Sequence, residues 1–445
     1  MLKSSAHPLS KILRDNLQQI RTQLAKLDPQ GLARTCGFLK RAPRKVPMPA
    51  FLLGLVALSA EVTLSLERVA AVVGLAAQAS YSKQALHKRL NASIERFLAQ
   101  VTTALFGQLS EQTRAQSWLR PFRRVLLHDS TIEKLPDHLA DCFPGSANPQ
   151  KKNQASLKIQ IIADLLQGTL LHCSLSGFTR NDQAASPDIL TVAQPGDLIL
   201  RDLGYFCRAV LRALQAKGAF FLSRFQHRML VYDLQGRQLD LLRELKTHGR
   251  LDRELLVGAS LAPLRVRVVA LPVPEAVANE RRRRARANQD GRFPPTKERL
   301  QLLGWNIFLT NVSRSVWPPQ ALPSIYRLRW RIEMIFKAWK SHLGLRQFNA
   351  HSAELLQLSV MTKLLFCVLV YRFCNALELL SQGPRHVSLL RLARIIGQSA
   401  CLFATALLGT NPARWLEHQL ANHLFYEQRK DRKNFFELLA QPCMP

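Results

Sequence analysis

Apolar residues recur at helical spacing through the first 118 positions of the chain. LSKILRDNLQQIRTQLAKL, AFLLGLVALSAEV and ASIERFLAQVTTALFGQL each place them three and four apart, which predicts amphipathic helices. Between them, LSLERVAAVVGLAAQASYSKQALHKRLNAS reads as two short helices joined by a turn. Ser82 is placed to cap the second helix, whose exposed side would carry Lys83, Gln84, His87, Lys88 and Arg89. This is the pattern of a helix-turn-helix with a basic recognition helix, and equally that of a packed helical hairpin with a polar face.

From about residue 119 the period changes. RRVLLHDST is a short apolar β-type run ending at Asp129. KIQIIADLL and TLLHCSLSGF, separated by Gln167-Gly168, predict a hairpin, and a helix is expected near 184–193. DLILRDLGYF gives another apolar run with Asp202 just past its end and Gly204 opening a turn. Adjacent strands lie about 4.8 Å apart, so carboxylates at two neighbouring strand ends can share one divalent cation. A single Asp in such a place is more often a turn residue or a helix cap, and Asp137, Asp141, Asp182, Asp188 and Asp197 are read that way.

In the stretch 207–300, FFLSRF, MLVYDL, RELLVGA and RVRVVALPV read as strands, followed by a basic stretch holding RRRRAR at 281–286. That run, with Arg282 and Arg283, is expected to clamp a DNA backbone, the bland alternative being a solvated helix. GWNIFLTNV, 304–312, is a further strand opened by Trp305. IYRLRWRIEMIFKAWKSH, 325–342, predicts one helix. Tyr326, Arg329, Glu333 and Lys340 stand at offsets of 0, 3, 7 and 14 residues, which at 100° per residue fall within an arc of about 60°. Leu328, Ile332, Ile335 and Trp339 lie roughly opposite, so one face is built to pack and its neighbour presents a lone carboxylate among cations. Beyond 344 the chain is helical again. LLQLSVMTKLLFCVLVYRFCNALELL is apolar on most sides and expected to be buried, while VSLLRLARIIGQSACLFATALL and the tail are amphipathic.

Charge narrows the class of partner. The 445 residues carry 62 Lys plus Arg against 31 Asp plus Glu, a formal net charge of +31, which calls for a polyanion and by default nucleic acid. A membrane-surface role is the weakest reading, because the basic residues are spread along the chain rather than gathered on one amphipathic helix. The eight cysteines include no C-x-x-C pair and no zinc-finger spacing, and read as thiols of a reducing compartment. MLKSSAHPLSKILRDN has no apolar signal region, and LLFCVLVYRF, the longest apolar run, is too short to span a bilayer. A cytoplasmic, nucleoid-associated protein without a membrane partner is expected.

The spacing Y-x2-R-x3-E-x6-K at Tyr326, Arg329, Glu333 and Lys340 resembles the YREK signature of bacterial cut-and-paste DDE transposases of the insertion sequence four group. The layout from SKQALHKRL through Asp129-Ser130-Thr131 and Asp202-Leu-Gly-Tyr205 to the Glu333 helix agrees with that group, and no signature position departs from it. The resemblance implies an α/β fold with a ribonuclease-H-like catalytic core, interrupted by a β-rich insertion and flanked by helical N-terminal DNA-binding and C-terminal regions. The expected segments are 1–118 with the helix-turn-helix, 119–206 and 301–378 as the two parts of the core, 207–300 as the insertion and 379–445 as a helical region with a role in dimerisation.

It also implies Asp129, Asp202 and Glu333 as the catalytic, metal-holding triad. Hard oxygen ligands select two Mg²⁺, with Mn²⁺ as a substitute. Two ions would clamp the attacking and leaving oxygens of a displacement at phosphorus, first with water and then with the freed 3′-hydroxyl as nucleophile. Tyr326, Arg329 and Lys340 would contact the transposon-end strand, and Trp305 would stack on a base flipped from it, supporting a hairpin on the flanking end or the transposon end. The partners would be terminal inverted repeats and target DNA, bound by a homodimer in a synaptic complex. Two other readings stand beside this one: a ribonuclease-H-like nuclease that cuts without joining, and a DNA-binding protein without catalysis.

Overall fold

The computed structural model of the chain describes residues 8–39, 47–59, 66–77, 79–87, 93–106, 118–146, 154–258, 263–287, 295–346, 348, 353–381 and 386–408. Six helices come first: α1 (Pro8–Lys26), α2 (Pro29–Thr35), α3 (Met48–Leu58), α4 (Leu66–Ala77), α5 (Lys83–His87) and α6 (Ile94–Phe106). Strands β1 (Val125–Leu135), β2 (Ala155–Asp164) and β3 (Thr169–Gly177) follow, then α7 (Asp182–Ala185), α8 (Ile189–Val192), β4 (Leu198–Arg201), α9 (Arg208–Ala216) and β5 (Phe220–Arg224). Next are β6 (Val231–Tyr232), β7 (Gln238–Leu239), α10 (Leu241–His248), β8 (Leu251–Val257), β9 (Leu264–Pro272), α11 (Glu275–Ala287), α12 (Lys297–Leu302) and β10 (Trp305–Thr310). The last helices are α13 (Leu322–Arg327), α14 (Trp330–His342), α15 (Ala353–Ser381), α16 (Leu389–Gly397) and α17 (Ala400–Leu408).

The chain forms two compact units. The first comprises, among the described residues, those within Met1–Thr113, Ser130–Arg180 and Arg331–Phe436. Its N-terminal helices share a core with α15 and α17. Asn16 donates to the carbonyl of Phe373 at 2.9 Å, and Lys363 donates to that of Ser59 at 2.7 Å. β2 is buried along its whole length and turns back into β3 at Gly168, as the Gln167-Gly168 break predicts. Gly168 sits at φ +63°, and Asn375 donates to its carbonyl at 2.8 Å. A Cβ there would meet the Asn375 amide at 2.2 Å, so both the left-handed backbone and the close approach call for glycine.

Within α15, Leu356–Glu378 is long and apolar enough to cross a membrane by length and composition, and 94% of its most apolar stretch is buried inside the protein. This exceeds what the apolar run 364–373 suggests. The charged residues within it are absorbed by partners: Lys363 by Ser59, Arg372 by the carbonyl of Leu105 and the Gln23 amide oxygen.

The second unit comprises, among the described residues, those within Arg114–Asp129 and Asn181–Trp330. Its sheet runs β1-β4-β5-β10-β9-β8-β6-β7. β1, β4 and β5 are parallel, and the pairs from β5 to β7 are antiparallel. The strands of the 207–300 stretch belong to this one sheet, and β5 lies between β4 and β10. The helix expected near 184–193 is two single turns, α7 and α8, separated by a 3-10 turn through Pro187, which lacks the N–H needed to continue the α pattern. Asp197 has the structural role expected of it, since Arg124 Nε reaches it at 3.0 Å and the N–H of Gln194 at 2.8 Å.

Candidate functional site

β1 and β4 pair in parallel with Leu127 opposite Leu200 and His128 opposite Arg201. The next residues along are Asp129 and Asp202. The two aspartates therefore occupy matching positions on neighbouring strands about 4.8 Å apart and point to the same face. Val125, Leu126, Leu127, Leu198 and Leu200 are wholly buried, which fixes the register that sets this face. Asp202 precedes a 3-10 turn, Leu203–Tyr205, and its side chain makes no capping bond, so its carboxylate is not spent on the turn. β1 does not end at Asp129: it continues to Leu135 with Thr131, Glu133 and Leu135 buried. Alternation takes over where the continuous apolar run stops, which is why sequence alone places the strand end too early.

Beneath the aspartates lies a buried polar layer. The Arg201 guanidinium donates to the carbonyl and hydroxyl of Ser186, both at 2.9 Å, and lies 6.0 Å over the Tyr205 ring. Burial lowers the Arg201 pKa to about 10, so it stays cationic at neutral pH. The His128 ring stands 4.3 Å from the Tyr205 ring.

Tyr326 and Arg329 close over the same face. The Tyr326 hydroxyl donates to the carbonyl of Arg201 at 3.2 Å and lies 3.5 Å from Asp202 Oδ1. Burial pushes its pKa up to about 12, against the opposing pull of the Arg329 charge, so it is a hydrogen-bond donor throughout the working range. Arg329 Nη1 is 3.4 Å from Asp129 Oδ2.

The single helix expected over 325–342 is broken here. α13 ends at Arg327 and α14 begins at Trp330. The N–H groups of Leu328 and Arg329 bond three residues back, to Ile325 at 3.0 Å and Tyr326 at 3.2 Å. That tightening ends the 100° progression, so the 60° arc is not continuous, although Leu328, Ile332, Ile335 and Trp339 are all buried as the pattern requires.

Two further residues carry no expectation from the motif. Leu222 is in register with Leu200, so Arg224 extends the row of Asp129 and Asp202 onto β5. Its guanidinium lies 5.3 Å over the Tyr326 ring, and among the described residues it has no carboxylate partner. The available signal was its place just after the apolar FFLS run, the same place the aspartates hold after theirs. Trp330 is the other, a tryptophan 60% exposed beside Arg329. Among the described residues of this unit, no third His, Cys, Asp or Glu joins the aspartates as a metal-holding trio.

Glu333 and Lys340 belong to the first unit, on α14. Glu333 is half-buried in its first turn. Lys340 donates to the carbonyl of Ile132 at 2.9 Å and pairs with Glu133. Trp305 opens β10 half-buried, its indole N–H committed to the carbonyl of Gly249 at 2.8 Å.

The basic elements are partly self-neutralised. Arg282 reaches Glu275 at 2.7 Å, while Arg283 and Arg284 share Glu280 at 2.8 and 2.6 Å. The hydrogen bond from Arg283, followed by that from Arg284, holds the Glu280 carboxyl down to about 2. On the α4–α5 pair, Ser82 caps α5 by accepting from the N–H of Ala85 at 3.3 Å, and Lys83 pairs with Glu67 at 2.9 Å. Gln84 is exposed, His87 ends α5, and Lys88 and Arg89 lie outside the described residues.

Residues 120–369 match the family described as Transposase DDE domain. The chain belongs to the DDE transposases, in the insertion sequence four group. It is similar to the transposase for insertion sequence element IS231B of Bacillus thuringiensis subsp. berliner, 28% identical over 380 residues that cover 79% of each chain. The transposase for IS231C of the same organism is 30% identical over 324 residues, 68% of this chain and 67% of the relative. That for IS1151 of Clostridium perfringens is 25% identical over 315 residues, 66% of each.

The transposase is accordingly an enzyme that acts on DNA, of a family that uses divalent metal ions. Its donor chemistry fits such an ion. Asp129 and Asp202 are hard oxygen donors at matching positions of adjacent strands, and Arg329 stands beside Asp129 without being able to ligate a metal itself.

Proposed function

We propose that this transposase moves an insertion sequence by cut and paste, with Asp129, Asp202 and Glu333 as its catalytic triad on a ribonuclease-H-like core. The observation that carries the reading is the parallel β1–β4 register, which sets Asp129 and Asp202 side by side under Tyr326 and Arg329. Mg²⁺ held by the three carboxylates would supply Lewis-acid activation of the nucleophile and neutralise charge at phosphorus. The chain's own residues do the rest. Arg329 and Lys340 neutralise phosphates beside the carboxylates, Arg329 in a bidentate manner. Tyr326 keeps its proton and orients the Asp202 strand end. Trp305 provides the stacking surface for a displaced base, and a hairpin on the flanking end or the transposon end precedes strand transfer.

In this reading residues 1–118 recognise the terminal inverted repeats, with Lys83, Gln84, His87, Lys88 and Arg89 facing DNA. Residues 119–206 and 301–378 form the core, and 207–300 is the β-rich insertion whose Arg282 and Arg283 meet the DNA backbone. Residues 379–445 pair two copies in a synaptic complex, in the bacterial cytoplasm at the nucleoid.

The test uses purified protein, Mg²⁺ and a labelled duplex carrying the element end, with Asp129→Asn, Asp202→Asn and Glu333→Gln in parallel. Wild type should cut at one position and join the 3′-hydroxyl end to a plasmid, while each variant binds and does not cut. A variant that still cuts removes its residue from the triad. Cutting without joining would make the protein a nuclease.

A further inference from the structure

Leu127, Leu200, Leu222, Thr310, Arg267 and Glu254 are successive register partners across β1, β4, β5, β10, β9 and β8 of the second unit. In-register residues share a face of the sheet, and so do residues two along a strand. Asp129, Asp202 and Asp252 therefore lie on one face with Arg267 and Glu254. At about 4.8 Å per strand, β8 is roughly 19 Å from β4 and roughly 24 Å from β1.

At the β8 end, two adjoining cavities of about 430 and 420 Å³ share Asp252 and Arg314. Five guanidinium groups line them, those of Arg250, Arg253, Arg265, Arg267 and Arg314, against the two carboxylates of Asp252 and Glu254. Arg267 is buried and takes Asp252 with bonds of 2.6 and 3.0 Å. It also donates to the carbonyls of Val312 at 3.4 Å and Trp317 at 2.8 Å, which fixes the loop bearing Arg314. Asp252 is thus neutralised before Arg314 reaches it at 3.3 Å, and the Arg314 side chain is 74% exposed. Arg250 is exposed and has no carboxylate partner among the described residues. Arg253 and Arg265 do have partners, Glu244 at 3.5 Å and Glu254, but as exposed pairs that a phosphate can replace at little cost.

We propose that this groove holds the phosphodiester backbone of the same duplex that is cut at Asp129 and Asp202, about six to seven base pairs from the scissile phosphate at 3.4 Å per step. The proposal rests on the assignment of the aspartates and adds a second, non-catalytic grip on the DNA. The groove is cationic, fixed from beneath by a buried arginine, and on the same sheet face as the cutting end. Its uncompensated charge sits on Arg250 and Arg314, which touch none of the signature residues.

The test compares wild type with Arg250→Ala/Arg314→Ala and Arg250→Lys/Arg314→Lys, using the end duplex in a salt titration of binding and an ethylation-interference map. The alanine pair should bind about tenfold or more weakly, with a salt slope shallower by about two, and should lose interference roughly six to seven base pairs from the cut while keeping it at the cut. The lysine pair should restore the slope, and thermal unfolding should match wild type in both. An unchanged slope and map for the alanine pair, or a loss that lysine does not restore, would overturn the groove. Asp129→Asn separates the two readings: it should retain the slope and the remote interference while abolishing cutting. If it cuts normally, the catalytic assignment fails and the remote contact is judged on the arginine variants alone.

Discussion

Tyr326 donates its hydroxyl to the main-chain carbonyl of Arg201, 3.2 Å away and one residue before Asp202. The signature tyrosine thus holds a strand end by its backbone, and its contact with the Asp202 carboxylate, at 3.5 Å, is the weaker one. Tyr326→Phe keeps the ring against Phe308 and removes the donor. A hydrogen bond of this kind contributes about 1 kcal/mol, so single-turnover cleavage should slow by roughly five- to tenfold with little change in DNA affinity. An unchanged rate would mean that the strand end is held without it.

The same phenol makes a pH prediction. Burial raises its pKa to about 12, above the ordinary tyrosine value near 10. A group whose folded pKa is raised contributes stability that is complete below the unfolded pKa and is lost as pH rises through the folded one. Stability of the wild type should therefore fall between about pH 10 and 12, and Tyr326→Phe should fall less steeply there. Burial also raises the Tyr371 phenol, so the comparison is between the two proteins rather than with a model tyrosine. Denaturant titrations at pH 9, 10, 11 and 12 give the answer, and parallel curves would remove Tyr326 as the source.

Arg224 continues the row of Asp129 and Asp202 onto the third parallel strand, over the Tyr326 ring. An exposed guanidinium beside two carboxylates, without one of its own, is suited to a phosphate. Arg224→Ala should lower affinity for the end duplex, flatten the salt slope by about one and leave thermal stability unchanged. Arg224→Lys should recover the slope and only part of the activity, because lysine keeps the charge and loses the planar stacking on Tyr326. Full recovery by lysine would show that charge alone matters.

Much of this was legible in the sequence because period and register are local. The two apolar runs preceding Asp129 and Asp202 are the paired segments of β1 and β4, and the Gln167-Gly168 turn is where β2 reverses. What escaped depends on hydrogen bonds that composition does not carry. The break at Leu328 and Arg329 replaces i−4 bonds by i−3 bonds without any Pro or Gly to announce it. The apolar pattern of α15 predicts its burial, but not that Ser59, Leu105 and Gln23 take the Lys363 and Arg372 side chains inside it. The acidic partners of Arg282 and Arg283 are one helical turn or two away, so a run that reads as bare positive charge is partly neutralised on its own helix.

Trp305 and Trp330 differ in burial, and the difference separates their expected effects. Trp305 is half-buried and its indole N–H is bonded to the carbonyl of Gly249 at 2.8 Å, so its removal takes away both the packed ring and that bond. Trp330 is 60% exposed at the junction of α13 and α14, with Arg329 immediately before it. A tryptophan left in water beside cations is suited to stack on a base, an interaction of about 1–3 kcal/mol. Trp330→Ala should leave the melting temperature unchanged and weaken binding or cleavage of the end duplex by about fivefold to a hundredfold. Trp305→Ala should lower the melting temperature as well as activity. A 2-aminopurine placed at each position near the cut would report which tryptophan quenches it. If Trp330→Ala keeps full activity and quenching, the exposed ring plays no part in holding the strand.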